Sequence, residues 1–400
     1  MSSALERCNE LATITAVPGR IDRFHLTPEH KRANELVGSW MEQAGLRSWV
    51  DAAGNVCGRR EGATPGLPAL LLGSHLDTVP DAGKYDGPLG VVLGIEVASR
   101  LRNVDLPFAL EVIGFADEEG TRFGVTMLGS KAVAGTWEAS YLDAHDADGV
   151  SVREAMLAFG LDPEGVSGAA RRDLAGYLEA HIEQGAELQD AGLALGVVTS
   201  ICGARRFSLT VLGEARHAGG TPFVRRKDAL IGASHIVLEV ERIARGRGIV
   251  ATVGRLEVSP GAVNVIPGKV DLSVDLRAGT DGDRDAAWDE IRASITQHCA
   301  GRGLQLSIRE EHTAKAALCS PRLQEAVAAG ISATGRNDVA RLYSWAGHDG
   351  MVLEPITDIG MLFIRCHDGI SHHPDEAVRA EDVELAAHAF TQAVRSLAVR

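Results

Sequence analysis

The tightest constraint on the fold lies between residues 69 and 120. ALLLGSHLD (69–77) is an apolar run that ends in polar residues. LGVVLGIEVASRLR (89–102) follows with helical spacing, and FALEVIGFADEEG (108–120) is a second apolar run ending in acids. A short, continuously apolar segment is a strand buried on both faces. Strand, helix, strand in this order demands a crossover connection, so the spacing predicts an α/β domain with a mixed, mainly parallel sheet. Ligands of such sheets bind beyond the carboxyl ends of the strands. His75, Asp77, Glu118 and Glu119 fall at those ends.

Helices are also expected at 4–17 and 28–45. The rhythm changes after residue 205. RFSLTVLG, IVATVGRLEV, KVDLSVDLRAG and LQLSIREE alternate as strands with one packed face. DALIGASHIVLEVERIAR and RDAAWDEIRASITQHCAG are helices between them, giving the order βαββαβ of a ferredoxin-like α+β domain. Helix and strand patterns of the first kind then return in LQEAVAAGIS, ITDIGMLFIR and EDVELAAHAFTQAVRSLA. The expected organisation is a catalytic domain at 1–205 and 318–400, interrupted by an inserted domain at 206–317. The insert's free face or helices would serve as a lid or a dimer contact.

Composition narrows the function. A net charge of -14 disfavours nucleic acid and anionic membranes, which call for a basic surface. It leaves room for a small anionic substrate. The six cysteines form no CxxC pair, so neither a disulfide framework nor a thiolate zinc site is expected. The first residues carry charges where a signal peptide needs an apolar run, and no stretch approaches the ~20 apolar residues of a membrane span. A cytoplasmic location is the expectation. No P-loop or dinucleotide-binding glycine motif is present.

Scattered metal-type ligands carry the chemistry: His75 and Asp77 in GSHLDTVP, Asp86 in KYDGPLG, Glu118 and Glu119 in DEEG, His181 in HIEQG, and His372–His373 in SHHPDE. Two neighbouring divalent cations need several such donors and one bridge. A carboxylate can bridge through its two oxygens, and Asp86 in a glycine-flanked turn suits that task. The Asp77 carboxylate could accept the free N–H of His75 and fix its tautomer. Three consecutive acids at the end of a buried strand are costly unless a cation offsets their repulsion. Each residue alone is more often structural than functional, but their joint placement at strand ends points to metal.

These motifs, with LGS at 128–130, ARHAGGTPFVRRKDA, VNVIPGKVDLSVDLR and AGHD, resemble the hydantoinase/carbamoylase family of amidases along essentially the whole chain. That family lies within a clan of di-zinc aminoacylases, carboxypeptidases and dipeptidases. The resemblance implies a di-metal peptidase-like catalytic domain with two divalent ions per subunit. Zinc is the first expectation, and manganese, cobalt or nickel would suit the same donors. One ion would be held by His75, Asp86 and His181, the other by Asp86, Glu119 and His372. It implies Glu118 as general base, with Asp77 and His217 in the catalytic set. Gln184, His217, Asn264, Arg277 and Gly347 would bind substrate, and a homodimer would form through the insert.

Three residues depart from the family pattern: His373 after the SH of the last motif, Phe223 in TPF, and Trp345 before AGHD. Either His372 or His373 could serve as ligand, with position favouring His372. The activity implied is cleavage of the ureido amide of a small carboxylate, an N-carbamoyl-L-amino acid first and allantoate second. A di-zinc aminoacylase or aminopeptidase is a further alternative, against which His181 weighs. A metal-stabilised binding protein would have no use for the base Glu118.

Overall fold

A computed structural model describes residues 3–336 and 338–399. The chain divides into two compact units: residues 1–199 with 318–400, and residues 200–317.

The first unit is built on a mixed nine-stranded sheet. Ala109–Phe115, Ala69–His75, Leu174–Ile182 and Ile359–Ile364 are its central neighbours, and every pairing among these four is parallel. Arg47–Val50 and Val56–Arg60 add an antiparallel hairpin at one edge, and Leu195–Ile201 pairs antiparallel at the other side. All seven side chains of Ala69–His75 and of Ala109–Phe115 are buried, which is why those segments read as unbroken apolar runs. The crossover helix Pro88–Arg100 packs on these strands. Helices Pro321–Ser332 and Ala380–Ala398 pack on each other over the same sheet. One core cluster joins Leu11, Trp40, Leu72, Ile95, Leu178 and Phe390. A smaller cluster around Phe123, Leu142 and Met156 forms within the long connection from Ala109–Phe115 to Leu174–Ile182.

The first helix ends earlier than its apolar spacing predicts, at Ala12 instead of 17. The Thr13 hydroxyl donates to the Glu10 carbonyl at 2.7 Å and takes one of the helix's last acceptors.

The second unit has a five-stranded sheet covered by helices Ala229–Arg247 and Asp281–Gly301. In sequence order its main strands stand 2-3-1-4, all antiparallel. The strand expected at 249–258 is two pieces, Val250–Thr252 and Leu256–Ser259, and both pair with Lys269–Ala278. Between them the register against Lys269–Ala278 slips by one residue, since Thr252 pairs with Asp275 but Leu256 with Leu272. Lys269–Ala278 alternates as expected, with Val270, Leu272, Val274 and Leu276 buried among the helices. A short ribbon pairs Arg216–His217 with Val265–Ile266. The domain border expected at 206 falls inside the strand Gly203–Leu212.

Candidate metal centre and substrate site

The candidate ligands sit where the strands of the first unit end. His75 is the last residue of its strand and His181 the last but one of its own. Glu118 and Glu119 follow Phe115 by a turn. Asp86 lies in the turn that leads into the crossover helix. Its successor Gly87 has φ 81°, and a Cβ at that position would lie 2.5 Å from the His75 ring. Glycine is therefore required there on two counts, a left-handed backbone and a close approach.

Asp86 is the centre of the arrangement. Its Oδ1 lies 3.5 Å from His75 Nε2 and 3.2 Å from His181 Nε2. Its Oδ2 lies 3.1 Å from His372 Nε2, which is itself 3.3 Å from Glu119 Oε1. One carboxylate thus turns one oxygen to each of two donor groups. His75, Asp86 and His181 offer atoms that all lie within 4.8 Å of one another, and so do Asp86, Glu119 and His372. His75, Glu118 and Glu119 form a third such group. His373 is elsewhere: its Nδ1 accepts the N–H of Asp375. Of the two adjacent histidines, the structure brings His372 into the cluster.

Both buried imidazoles have their Nδ1 committed. His75 Nδ1 donates to the Asp77 carbonyl at 3.1 Å, and His181 Nδ1 to the Ile182 carbonyl at 2.8 Å. Their Nε2 atoms therefore face Asp86 as lone-pair donors. His181 Nε2 is buried and makes no hydrogen bond. An orphaned buried nitrogen beside a carboxylate fits a divalent cation.

Electrostatics point the same way. Burial alone would push Asp86 up, but the imidazoles of His181, His372 and His75 around it outweigh that and hold Asp86 well below the usual carboxylate range. Asp86 and Glu119 in turn raise His372 to about 10. The carboxylates here demand positive charge, and without a cation they draw it from protons. Glu118 is raised well above its ordinary value, first by burial and then by the nearby Glu119, Asp349 and Asp77, with His75 opposing.

One expectation needs correcting. The Asp77 carboxylate is 3.6 Å from His75 Nδ1, and the backbone carbonyl is the nearer acceptor. Its two oxygens instead accept the backbone N–H groups of Glu118 and Glu119, each at 3.0 Å. Asp77 therefore positions the acidic pair more directly than it orients the imidazole.

The substrate candidates fall into two sets. Gln184, in the first unit, donates to Asp86 Oδ2 at 2.8 Å, while its Oε1 is buried with no hydrogen-bond partner. Gly347 is exposed beside Met127, whose Cε would lie 3.2 Å from a Cβ at that position. His217, Asn264 and Arg277 belong to the second unit. His217 pairs with Val265 in the short ribbon, and Ala218 donates to the Asn264 carbonyl, so these two are neighbours. Arg277 holds Asp275 at 3.0 Å through Nε, and Arg206 shares the same carboxylate.

Residues 71–396 match the model of Peptidase family M20/M25/M40. The chain is 40% identical over 399 residues to the N-carbamoyl-L-amino acid amidohydrolase of Geobacillus stearothermophilus, covering 98% of this chain and 97% of that one. It is 38% identical over 436 residues to the allantoate deiminase of Arabidopsis thaliana, covering 98% and 82%. The fold matches the crystal structure of a hydantoinase/carbamoylase family amidase from Burkholderia multivorans with a TM-score of 0.91, at 33% identity over 99% and 97% of the two chains. This chain belongs to the hydantoinase/carbamoylase amidases of the M20/M25/M40 family.

The amidase is thus a hydrolase of carbon–nitrogen bonds, and its imidazole and carboxylate cluster supplies donors for divalent metal. Two supporting residues escaped the sequence reading although both stand in the SHHPDE motif. Glu376 Oε1 accepts the N–H of Tyr85 at 2.7 Å and of Asp86 at 3.1 Å. Ser371 Oγ lies 2.7 Å from Asp86 Oδ2 and 3.0 Å from Glu376 Oε2. Together they fix the turn that carries Asp86. His348 of AGHD was also missed. Its ring meets that of His181 edge-on at 4.5 Å, and burial keeps it well below its ordinary pKa. Asp117, Gln184 and His372 adopt positive φ without being glycine, so strained backbone collects at this site.

Proposed function

We propose that this amidase cleaves the carbamoyl (ureido) amide of a small carboxylate-bearing substrate, an N-carbamoyl-L-amino acid in the first instance. The observation that carries the metal part is Asp86, with one oxygen toward His75 and His181 and the other toward His372, beside Glu119. Two divalent cations held by these residues would supply Lewis acidity, which polarises a carbonyl and makes water nucleophilic near neutral pH. Zinc, manganese, cobalt and nickel all suit such donors.

The chain's own residues do the rest. Glu118 takes the proton of the attacking water and passes it to the departing nitrogen. Asp77 holds the backbone of Glu118 and Glu119 in place for that transfer. Gln184 Oε1 accepts an N–H of the ureido group, which supplies the partner this buried oxygen lacks. Water breaks one C–N bond of the ureido group, and the carbamic acid left then loses carbon dioxide by breaking the other, so that the products are the free amine, ammonia and carbon dioxide. Parts for His217, Asn264 and Arg277 in substrate binding, for Gly347 as a backbone contact, and for the second unit as lid and homodimer contact are proposed on the family resemblance.

Allantoate is the second reading, because it too carries a ureido group and a carboxylate and because the relatives include an allantoate deiminase. Ammonia release from carbamoyl amino acids and from allantoate, with Zn²⁺, Mn²⁺, Co²⁺ or Ni²⁺ added in turn, tests both. Hydrolysis of N-acyl amino acids or dipeptides without any ureido turnover would overturn the proposal.

A further inference from the structure

Three loops of the first unit converge around Gln184. The loop 183–187 carries Gln184 itself, the loop 344–348 carries Gly347 and His348, and the loop 367–372 carries His372. They touch closely: a Cβ on Gly369 would lie 2.7 Å from the Gly185 carbonyl carbon. Gly185, Gly347 and Gly369 lie on these loops, and Trp345 is their largest side chain. Its indole N–H donates to Glu187 Oε1 at 3.2 Å and so ties the second loop to the first.

Both ends of this tie are fixed from behind. The carboxylate of Glu183 accepts the N–H of Glu187 at 2.6 Å and of Leu188 at 3.0 Å, anchoring the backbone of Glu187. Ser344 Oγ lies 2.7 Å from His348 Nε2 and 3.0 Å from the Ala346 carbonyl, which sets the loop on which Trp345 stands. The edge of Tyr343 meets the indole at 5.9 Å. A large aromatic held at several points loses little rotamer freedom when substrate arrives, so it acts as a rigid wall.

We propose that Trp345, latched by Glu187, is a specificity-determining residue that limits the bulk a substrate can carry beside Gln184. The inference rests on the ureido-carboxylate reading above, in which Gln184 grips the ureido end. Trp345 would act by excluding bulk, and Glu187 is a positioning residue that keeps the indole in place.

The test compares kcat/KM of the metal-loaded enzyme on N-carbamoylglycine, N-carbamoyl-L-alanine, N-carbamoyl-L-phenylalanine and allantoate. Trp345→Ala is expected to raise the phenylalanine substrate at least ~10-fold relative to the best wild-type substrate, since hydrophobic-pocket discrimination of this kind spans ~10–200-fold. Glu187→Ala should move the ratio in the same direction, Glu187→Gln should keep it through the retained acceptor, and Trp345→Phe should fall between. Melting temperatures identify any variant that fails to fold, and Glu187→Ala then carries the test in place of Trp345→Ala. An unchanged ratio in Trp345→Ala and Glu187→Ala, in an enzyme that turns over ureido substrates, overturns the wall. A wild-type enzyme that turns over none of the four overturns the ureido reading, and this inference with it.

Discussion

Asp86 faces both donor groups at once, so its loss should be felt by two ions where a terminal ligand's loss is felt by one. Asp86→Ala is expected to empty both sites, whereas His181→Ala weakens one. Metal-to-protein ratios measured side by side decide it, and equal losses would remove the bridging role. His372→Ala should lose metal and His373→Ala should not, because only the first imidazole reaches Asp86 and Glu119. Glu118→Gln should keep both ions and lose nearly all turnover, since an amide cannot take the proton. Glu376 offers a subtler case. It touches no other candidate ligand, yet it holds the backbone of Asp86, so Glu376→Ala should lower metal affinity by about 10–100-fold, the usual effect of removing such support. Glu376→Gln keeps an acceptor and should lie near wild type. That these candidate ligands gather into one cluster was legible in the sequence because each stands in a short motif with an unusual density of donors. Glu376 and Ser371 were not, because a residue that bonds backbone leaves no type or spacing of its own. The division between His372 and His373 was equally invisible, since it depends on a positive φ at His372 that no pattern encodes.

At the scale of elements, the crossover helix Pro88–Arg100 is pressed against the strand Leu174–Ile182 through Gly90. A Cβ on Gly90 would collide with the Ala180 carbonyl oxygen and lie 2.9 Å from Ser74 Cβ. Two effects oppose each other in Gly90→Ala. Helix propensity favours alanine by about 1 kcal/mol. Overpacking against a backbone carbonyl, which cannot rotate aside, costs about 1–3 kcal/mol or more. The second should win, and the melting temperature should fall. Ser74 and Ala180 immediately precede His75 and His181, so metal affinity should fall with it. A rise in melting temperature on Gly90→Ala would show that the helix can move off the strand freely. The helix and both its flanking strands were legible because their periods of burial differ so plainly. The hairpin Arg47–Arg60, whose strands are short, and the strand Leu195–Ile201 were not, because both lie outside the crossover pattern. The broken edge strand at 250–259 was read as one because only a one-residue shift of register against Lys269–Ala278 interrupts it, while the alternation of residues runs on.

Among the described residues, each unit has its own main hydrophobic core, one drawn from residues 4–397 and the other from 207–304. All the candidate ligands, His75, Asp86, Glu119, His181 and His372, belong to the first unit, although almost three hundred residues of chain separate the first from the last. A bound cation would therefore cross-link distant segments of one core and leave the other without a direct contact. Anything that binds only the folded form stabilises it by an amount set by concentration over affinity, about 2.7 kcal/mol at a hundredfold excess over Kd. Amide hydrogen exchange should report this locally. Adding metal to chelator-treated protein is expected to slow exchange in Ala69–His75, Leu174–Ile182 and Ile359–Ile364 by up to about 100-fold where exchange proceeds by unfolding of that core. The buried strand Lys269–Ala278 should keep its metal-free rate. Equal protection of both sets of amides would mean that the two cores open as one cooperative body. Protection of neither would mean that the cluster around Asp86 does not bind the metal supplied.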